Sequence, residues 1–164
     1  MPAADLAPEW QVTRWFNSEP LTLASLRGKV VVAHAFQMLC PGCAMTALPQ
    51  MQRIHSAFPP ERLAVIGLHT VFEHHAQQNP EALEAFLHEY RYGFPVGVDT
   101  PTDAGPIPLT MQRYRMQGTP TLLLIDADGV LRDQHFGTVD DLSLGVAIGR
   151  LLAEAEAGVS RPAP

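Results

Sequence analysis

The sequence predicts an α/β domain organised around a central sheet that is covered on both faces. Three observations carry this expectation. Val30-Val31-Val32-Ala33-His34-Ala35-Phe36 and Leu63-Ala64-Val65-Ile66-Gly67-Leu68-His69 are runs of strand length, apolar on both faces, as suits the central strands of a covered sheet. Around them, apolar residues recur at three- and four-residue spacing, the pattern of helices with one buried face. Towards the C-terminus, Asp126-Ala127-Asp128-Gly129 separates two strand-like runs and reads as a hairpin turn.

The elements follow in order. Residues 1–20 are rich in Pro and Ala and read as an extended lead-in, with Trp10 to Phe16 alternating well enough for a short strand. Asn17-Ser18-Glu19-Pro20 is turn chemistry, and Arg27-Gly28-Lys29 is a tight turn before the first buried run. After Cys40-Pro41-Gly42-Cys43 the pattern becomes helical to Phe58, through Ala44, Leu48, Met51, Ile54 and His55. Pro49 lies inside this helix and predicts a kink one turn past the cysteines.

Asn79-Pro80-Glu81 starts a helix, with Asn as cap and Pro at its first position, and Leu83, Phe86, Leu87 and Tyr90 line one face. Phe94 to Asp99 reads as a short strand, residues 100–108 as a loop, and Met111 to Met116 as a short helix. Thr121 to Ile125 and Val130 to Phe136 form the hairpin arms. Asp140 to Ala157 is a closing helix with Leu144, Ile148, Leu151 and Leu152 inward, and Gly158 is its expected stop.

Size and charge set limits. The 164 residues, 46% hydrophobic and 17% charged, are read as one domain over 1–164, with a core over about 15–155 and a fraying tail at 159–164. Mean hydropathy is +0.01. Seventeen acidic against eleven basic residues give a net charge of −6, which argues against nucleic acid as the main partner. No stretch approaches the ~18 apolar residues of a membrane span. The first residues carry no secretory signal, so the cytoplasm is the expected location, or the periplasm if a leader has been trimmed. A monomer is expected.

Cys40 and Cys43 are the only cysteines, and a bridge across three residues cannot staple a fold. Their position, where a buried strand becomes a helix, has its own logic. The helix N-terminus favours an anion at Cys40, whose thiolate is the reactive form. Cys43, one turn in and more buried, is placed to resolve a mixed disulfide. Zinc would need about four ligands, and neither a second CxxC nor a ligand-like pairing of His69, His74 and His75 with the cysteines supplies them. No metal or other cofactor is expected.

With the strand, the Cys40-Pro41-Gly42-Cys43 motif, the helix after it, and Gly118-Thr119-Pro120-Thr121 before a hairpin, the chain resembles the thioredoxin superfamily. It is most similar to the TlpA-like and redoxin (AhpC/TSA-related) branch, over about residues 15–155. The resemblance implies a three-layer α/β/α sandwich with a central mixed sheet, an N-terminal extension and a helical insertion. It implies thiol–disulfide exchange with protein disulfide or dithiol partners. It also implies a cis Pro120 facing the cysteines, and a Thr119 whose backbone receives an extended partner segment. Pro41 and Gly42 would join Thr119 and Pro120 in substrate binding. Without the cysteines, an ordinary trans turn proline would be the default at 120.

The chain departs from the family pattern at Leu39, where Trp is usual, and in the order Pro41-Gly42, where Gly-Pro is common. His34 stands where thioredoxins carry a buried Asp and TlpA-like proteins often Asn. It is read either as proton acceptor for Cys43 or as a neutral core histidine bonded to a backbone carbonyl.

Two rival functions remain. A peroxiredoxin-like thiol peroxidase would carry Thr three residues before the reactive cysteine, and position 37 is Gln. A non-catalytic binding module would dock through a rim such as Phe72, Tyr92 and Met38, or hold metal through His74 and His75.

Overall fold

In the computed structural model, which describes residues 5–159, the chain runs through β1 (Val12–Phe16), β2 (Val30–Phe36), α1 (Leu48–Ala57) and β3 (Leu63–His69). It continues with α2 (Pro80–Glu89), β4 (Val96–Asp99), α3 (Leu109–Arg113), β5 (Thr121–Ile125), β6 (Leu131–Phe136) and α4 (Asp141–Val159). The strands form one sheet in the order β1-β4-β3-β2-β5-β6. β2, β3 and β4 are mutually parallel, whereas β1, β5 and β6 pair antiparallel to their neighbours. The sheet is therefore mixed, and α2 lies in the expected insertion between β3 and β4.

All seven residues of β2 are buried because each face of the sheet has a cover. Val30, Val32 and Phe36 face α1, α2 and α4 through Leu48, Met51, Leu83, Leu144 and Ile148. Val31, Ala33 and Ala35 face a thinner layer made of the lead-in and α3, through Ala7, Trp10, Leu23, Leu26 and Met111. These are the three layers. Trp10 holds the lead-in down: its indole N–H donates to the Leu21 carbonyl at 2.8 Å, and its ring lies 5.8 Å from that of Trp15.

The distortion expected at Pro49 takes the form of a π-helical turn just before it. Lacking an N–H, and with its ring against the carbonyl of residue 45, Pro49 cannot follow a regular α-turn. The chain widens instead into a π-helical turn over Cys43–Ala47, in which the Leu48 N–H reaches the Cys43 carbonyl. Further boundaries also move. β4 begins at Val96, after Pro95, whose carbonyl still accepts from Gly67. α3 lies at Leu109–Arg113, where the Asp99 carboxylate accepts from the N–H groups of Thr110 at 2.7 Å and Met111 at 3.1 Å. α4 runs through Gly158 to Val159, and the rest of the tail expected to fray, 160–164, lies outside the described residues, as do residues 1–4 of the lead-in.

Asn79 caps α2 as expected, its Oδ1 accepting from Ala82 N at 2.8 Å and its Nδ2 donating to Ala76 O at 3.0 Å. Asn79→Ala is expected to lower stability by about 1 kcal/mol, read as a shift in the urea midpoint at constant slope. Tyr90, placed by periodicity on the inner face of α2, is exposed and stacks on Tyr92. Tyr92 and Met38 are themselves buried, so the docking rim proposed from Phe72, Tyr92 and Met38 does not form.

Candidate active site

β2 ends at Phe36, and four residues later the chain enters the helix that leads into α1, with Pro41 and Gly42 already helical. Pro41 suits the first helical position, where its missing N–H is not needed. Cys40 therefore occupies the cap. Its carbonyl accepts from Ala44 N at 2.9 Å, and its Sγ accepts from Cys43 N at 3.3 Å, as a Ser or Asp oxygen does at other N-termini. Cys40 is partly exposed and Cys43 is fully buried; both are free thiols. Burial pushes the Cys43 thiol up to about 12, with the Cys40 side chain adding to the rise; a Gln37 backbone contact and the Thr119 hydroxyl pull the other way.

The loop before β5 closes over this pair. Thr119–Pro120 is a cis peptide, as the family resemblance implied. The Cys40 thiol donates to the Thr119 carbonyl at 3.4 Å. A Cβ at Gly42 would stand 3.4 Å from Cδ of Pro120, so the two loops abut. Gly118 lets the loop approach β6 closely: a Cβ there would lie 2.9 Å from the Phe136 ring, which would have to shift. The structure thus brings Cys40, Cys43, Gly42, Thr119 and Pro120 together, with Pro41 exposed beside them. Leu39 and Phe136, 57% and 50% exposed, are apolar neighbours of this cluster.

His34 is fully buried, and burial lowers its pKa to about 4. It lies on the Cys43 face of β2, by alternation with Val32 and Phe36. Neither ring nitrogen has a hydrogen-bond partner. The carbonyl-bonded form of the core-histidine reading is therefore not found, and no bond joins His34 to Cys43. His69, at the end of β3, is in the same condition: buried, unpartnered and lowered to about 4 by burial. Among the described residues no group of three or more His, Cys, Asp or Glu is placed to hold a metal ion.

Two neighbours escaped the sequence reading. Gln37 and Gln78 are buried, and they hydrogen-bond to each other at 3.0 Å. A signal for Gln37 existed: it is a polar residue straight after the carboxyl end of a buried parallel strand, where sites collect in α/β sheets. Gln78 had none, since it sits in a polar loop 41 residues away in sequence.

Comparisons agree with this geometry. Residues 3–134 match the AhpC/TSA family. The solved structure of a thioredoxin-like superfamily protein is 56% identical with a TM-score of 0.88, covering 97% of this chain and 99% of its own. A thiol-disulfide isomerase from Corynebacterium glutamicum is 47% identical with a TM-score of 0.89, covering 93% of this chain and 99% of its own. The protein DipZ of Mycobacterium tuberculosis is 31% identical over 93% of this chain, and the chain spans 21% of that protein's length. The thioredoxin-like protein YneN of Bacillus subtilis is 23% identical over 81% of this chain and 71% of its own.

Proposed function

Because this chain belongs to the AhpC/TSA family within the thioredoxin superfamily, we propose that it is a dithiol–disulfide oxidoreductase that reduces disulfides of protein partners. The observation that carries this reading is the asymmetry of the pair. Cys40 presents its sulfur at a helix N-terminus, partly in solvent, while Cys43 is buried one turn behind it.

The cycle balances within the pair. The Cys40 thiolate attacks one sulfur of the partner disulfide, and the other partner sulfur leaves as a thiolate. Cys43 then loses its proton and attacks Cys40 Sγ, which releases the second partner sulfur and leaves the Cys40–Cys43 disulfide. Two electrons pass to the partner, whose thiolates take up protons.

Thr119 offers its backbone to an extended partner segment, and Pro41, Gly42 and Pro120 line the approach. No hydrogen bond joins His34 to Cys43, and a ring whose conjugate acid lies near 4 is a weak base for a thiol raised to about 12, so the neutral core-histidine reading is favoured over the proton-acceptor one. His34→Asn should leave the pH profile of the resolution step unchanged; a changed profile would restore the proton-acceptor role.

The measurement that tests the whole reading is the equilibrium with glutathione. Oxidised protein should lose two hydrogens, confined to the peptide holding Cys40 and Cys43. A potential near −270 mV marks a reductant, suited to a reducing compartment such as the cytoplasm, and one near −120 mV an oxidant. Failure of Cys40 and Cys43 to pair overturns the proposal. Among the described residues no helix is long and apolar enough to cross a membrane, and the chain is taken to act as a monomer, which sedimentation tests.

The family match also raises the peroxidase reading. Gln37 offers no hydroxyl to a peroxide, and both ends of its carboxamide are engaged by protein groups. Reduced protein should consume hydrogen peroxide no faster than a free thiol in stopped flow.

A further inference from the structure

We propose that Gln37 and Gln78 are positioning residues for the cysteine pair: Gln78 fixes the segment before Cys40 and the orientation of Gln37, and Gln37 holds Thr119, whose carbonyl meets the Cys40 thiol. The inference rests on the disulfide-exchange reading and deepens it.

The two carboxamides are only 1% and 3% exposed, and each polar atom has a partner. Gln78 Oε1 accepts from Leu39 N at 3.0 Å, while its Nε2 donates to Gln37 Oε1 at 3.0 Å and to Glu73 O at 3.0 Å. Gln37 Oε1 also accepts from Phe72 N at 3.3 Å, and its Nε2 donates to Thr119 Oγ1 at 3.2 Å. A carboxamide can be turned end for end, but these cannot. The backbone N–H groups of Leu39 and Phe72 only donate, so each must face an amide oxygen. The nitrogen of Gln78 then faces Gln37, and the nitrogen of Gln37 faces Thr119.

The polarity of the chain has a chemical result. Thr119 Oγ1 receives a hydrogen bond from Gln37, so its own proton is left to point elsewhere, and the Thr119 carbonyl already meets the Cys40 thiol. Gln37 thus holds the residue whose carbonyl meets the Cys40 sulfur, and Gln78 holds both Gln37 and the Leu39 N–H one residue before that sulfur. The pair also ties the segment 70–79, through Phe72, Glu73 and Gln78, to both loops of the site. That segment is thereby coupled to thiol chemistry without touching a sulfur.

The test is a double-mutant cycle on disulfide closure. Reduced protein is mixed with oxidised glutathione, and closure of the Cys40–Cys43 bond is followed across pH by quenching and mass. Gln37→Met should slow closure about fivefold, the usual effect of one lost neutral hydrogen bond. Gln37→Glu is the second variant. It leaves Gln78 and Phe72 an acceptor but turns an oxygen towards Thr119, and should slow closure at least as much as Gln37→Met, with its fold checked by urea denaturation. Thr119→Val removes the hydroxyl and keeps the carbonyl. In that background Gln37→Met should have no further effect, whereas Gln78→Met should keep the part of its effect that runs through the Leu39 N–H. Additive effects of Gln37→Met and Thr119→Val, or an unchanged closure rate and pH profile in Gln37→Met, overturn the proposal. If the wild-type protein closes no disulfide at all, it is the oxidoreductase reading that fails.

Discussion

Cys40→Ser is expected to abolish reduction of a protein disulfide such as that of insulin, by a factor on the order of 10³ or more, because a serine hydroxyl has no accessible anion to replace the thiolate. Cys43→Ser is expected to fail differently. The first attack remains, since Cys40 keeps its partial exposure, its cap position and its bond from the residue 43 N–H. Resolution is lost, so the partner should accumulate as a mixed disulfide on Cys40, visible as an added mass that dithiothreitol removes. The difference follows from burial: Cys43 is fully buried, and its thiol, raised to about 12, has almost no thiolate near neutral pH until a neighbouring sulfur is electrophilic. Trapping on Cys43 in the Cys40→Ser variant, rather than on Cys40 in Cys43→Ser, would reverse the assignment of the two thiols.

The parts of this molecule that were legible in sequence are those whose environment is uniform along the chain. Val30–Phe36, Leu63–His69 and Thr121–Ile125 lie between two covers over almost their whole length, so an apolar run marks each of them with its boundaries. Cys40 and Cys43 were legible because the chemistry is local to four residues. What failed depends on how the backbone relaxes locally or on partners remote in sequence. Pro49 announced a distortion, but its form, a π-turn upstream that carries Cys43, depends on how the helix relieves the missing N–H. Gly158 is a helix breaker by propensity alone and is passed by α4. Tyr92 and Met38 are ordinary surface candidates until Phe94 and the cover of the sheet enclose them. Glutamine is read as surface by default, and the Gln37–Gln78 pair appears only when residues 41 apart are brought together.

The second large effect is on stability at mildly acid pH. His34 and His69 each have a folded pKa of about 4, lowered by burial, against about 6.5 in an unfolded chain. Between these values the unfolded state binds more protons than the folded one, so stability rises with pH there. It is fully present above about pH 6.5 and is lost as pH falls towards 4. Each histidine contributes about 3 kcal/mol to this loss, and the two together approach the whole stability of an ordinary domain. The protein should therefore become markedly less stable to urea across this window. Asp140, Asp141 and Glu154 have lowered pKa values through hydrogen bonds from Ser143, Arg53 and Arg132, and so act at lower pH in the same direction. Asp99 is raised by burial and opposes them, since its folded form takes up a proton more readily than the unfolded one. Cys43 does not titrate in this range. Urea denaturation across pH 4 to 7 reads the slope, and His34→Leu should remove about half of it while leaving stability near pH 7 little changed, because the imidazole nitrogens it deletes have no partner to lose. The remaining half should vanish in the double variant with His69→Leu. A slope unchanged by either substitution would mean that these two rings are not the groups that protonate on unfolding.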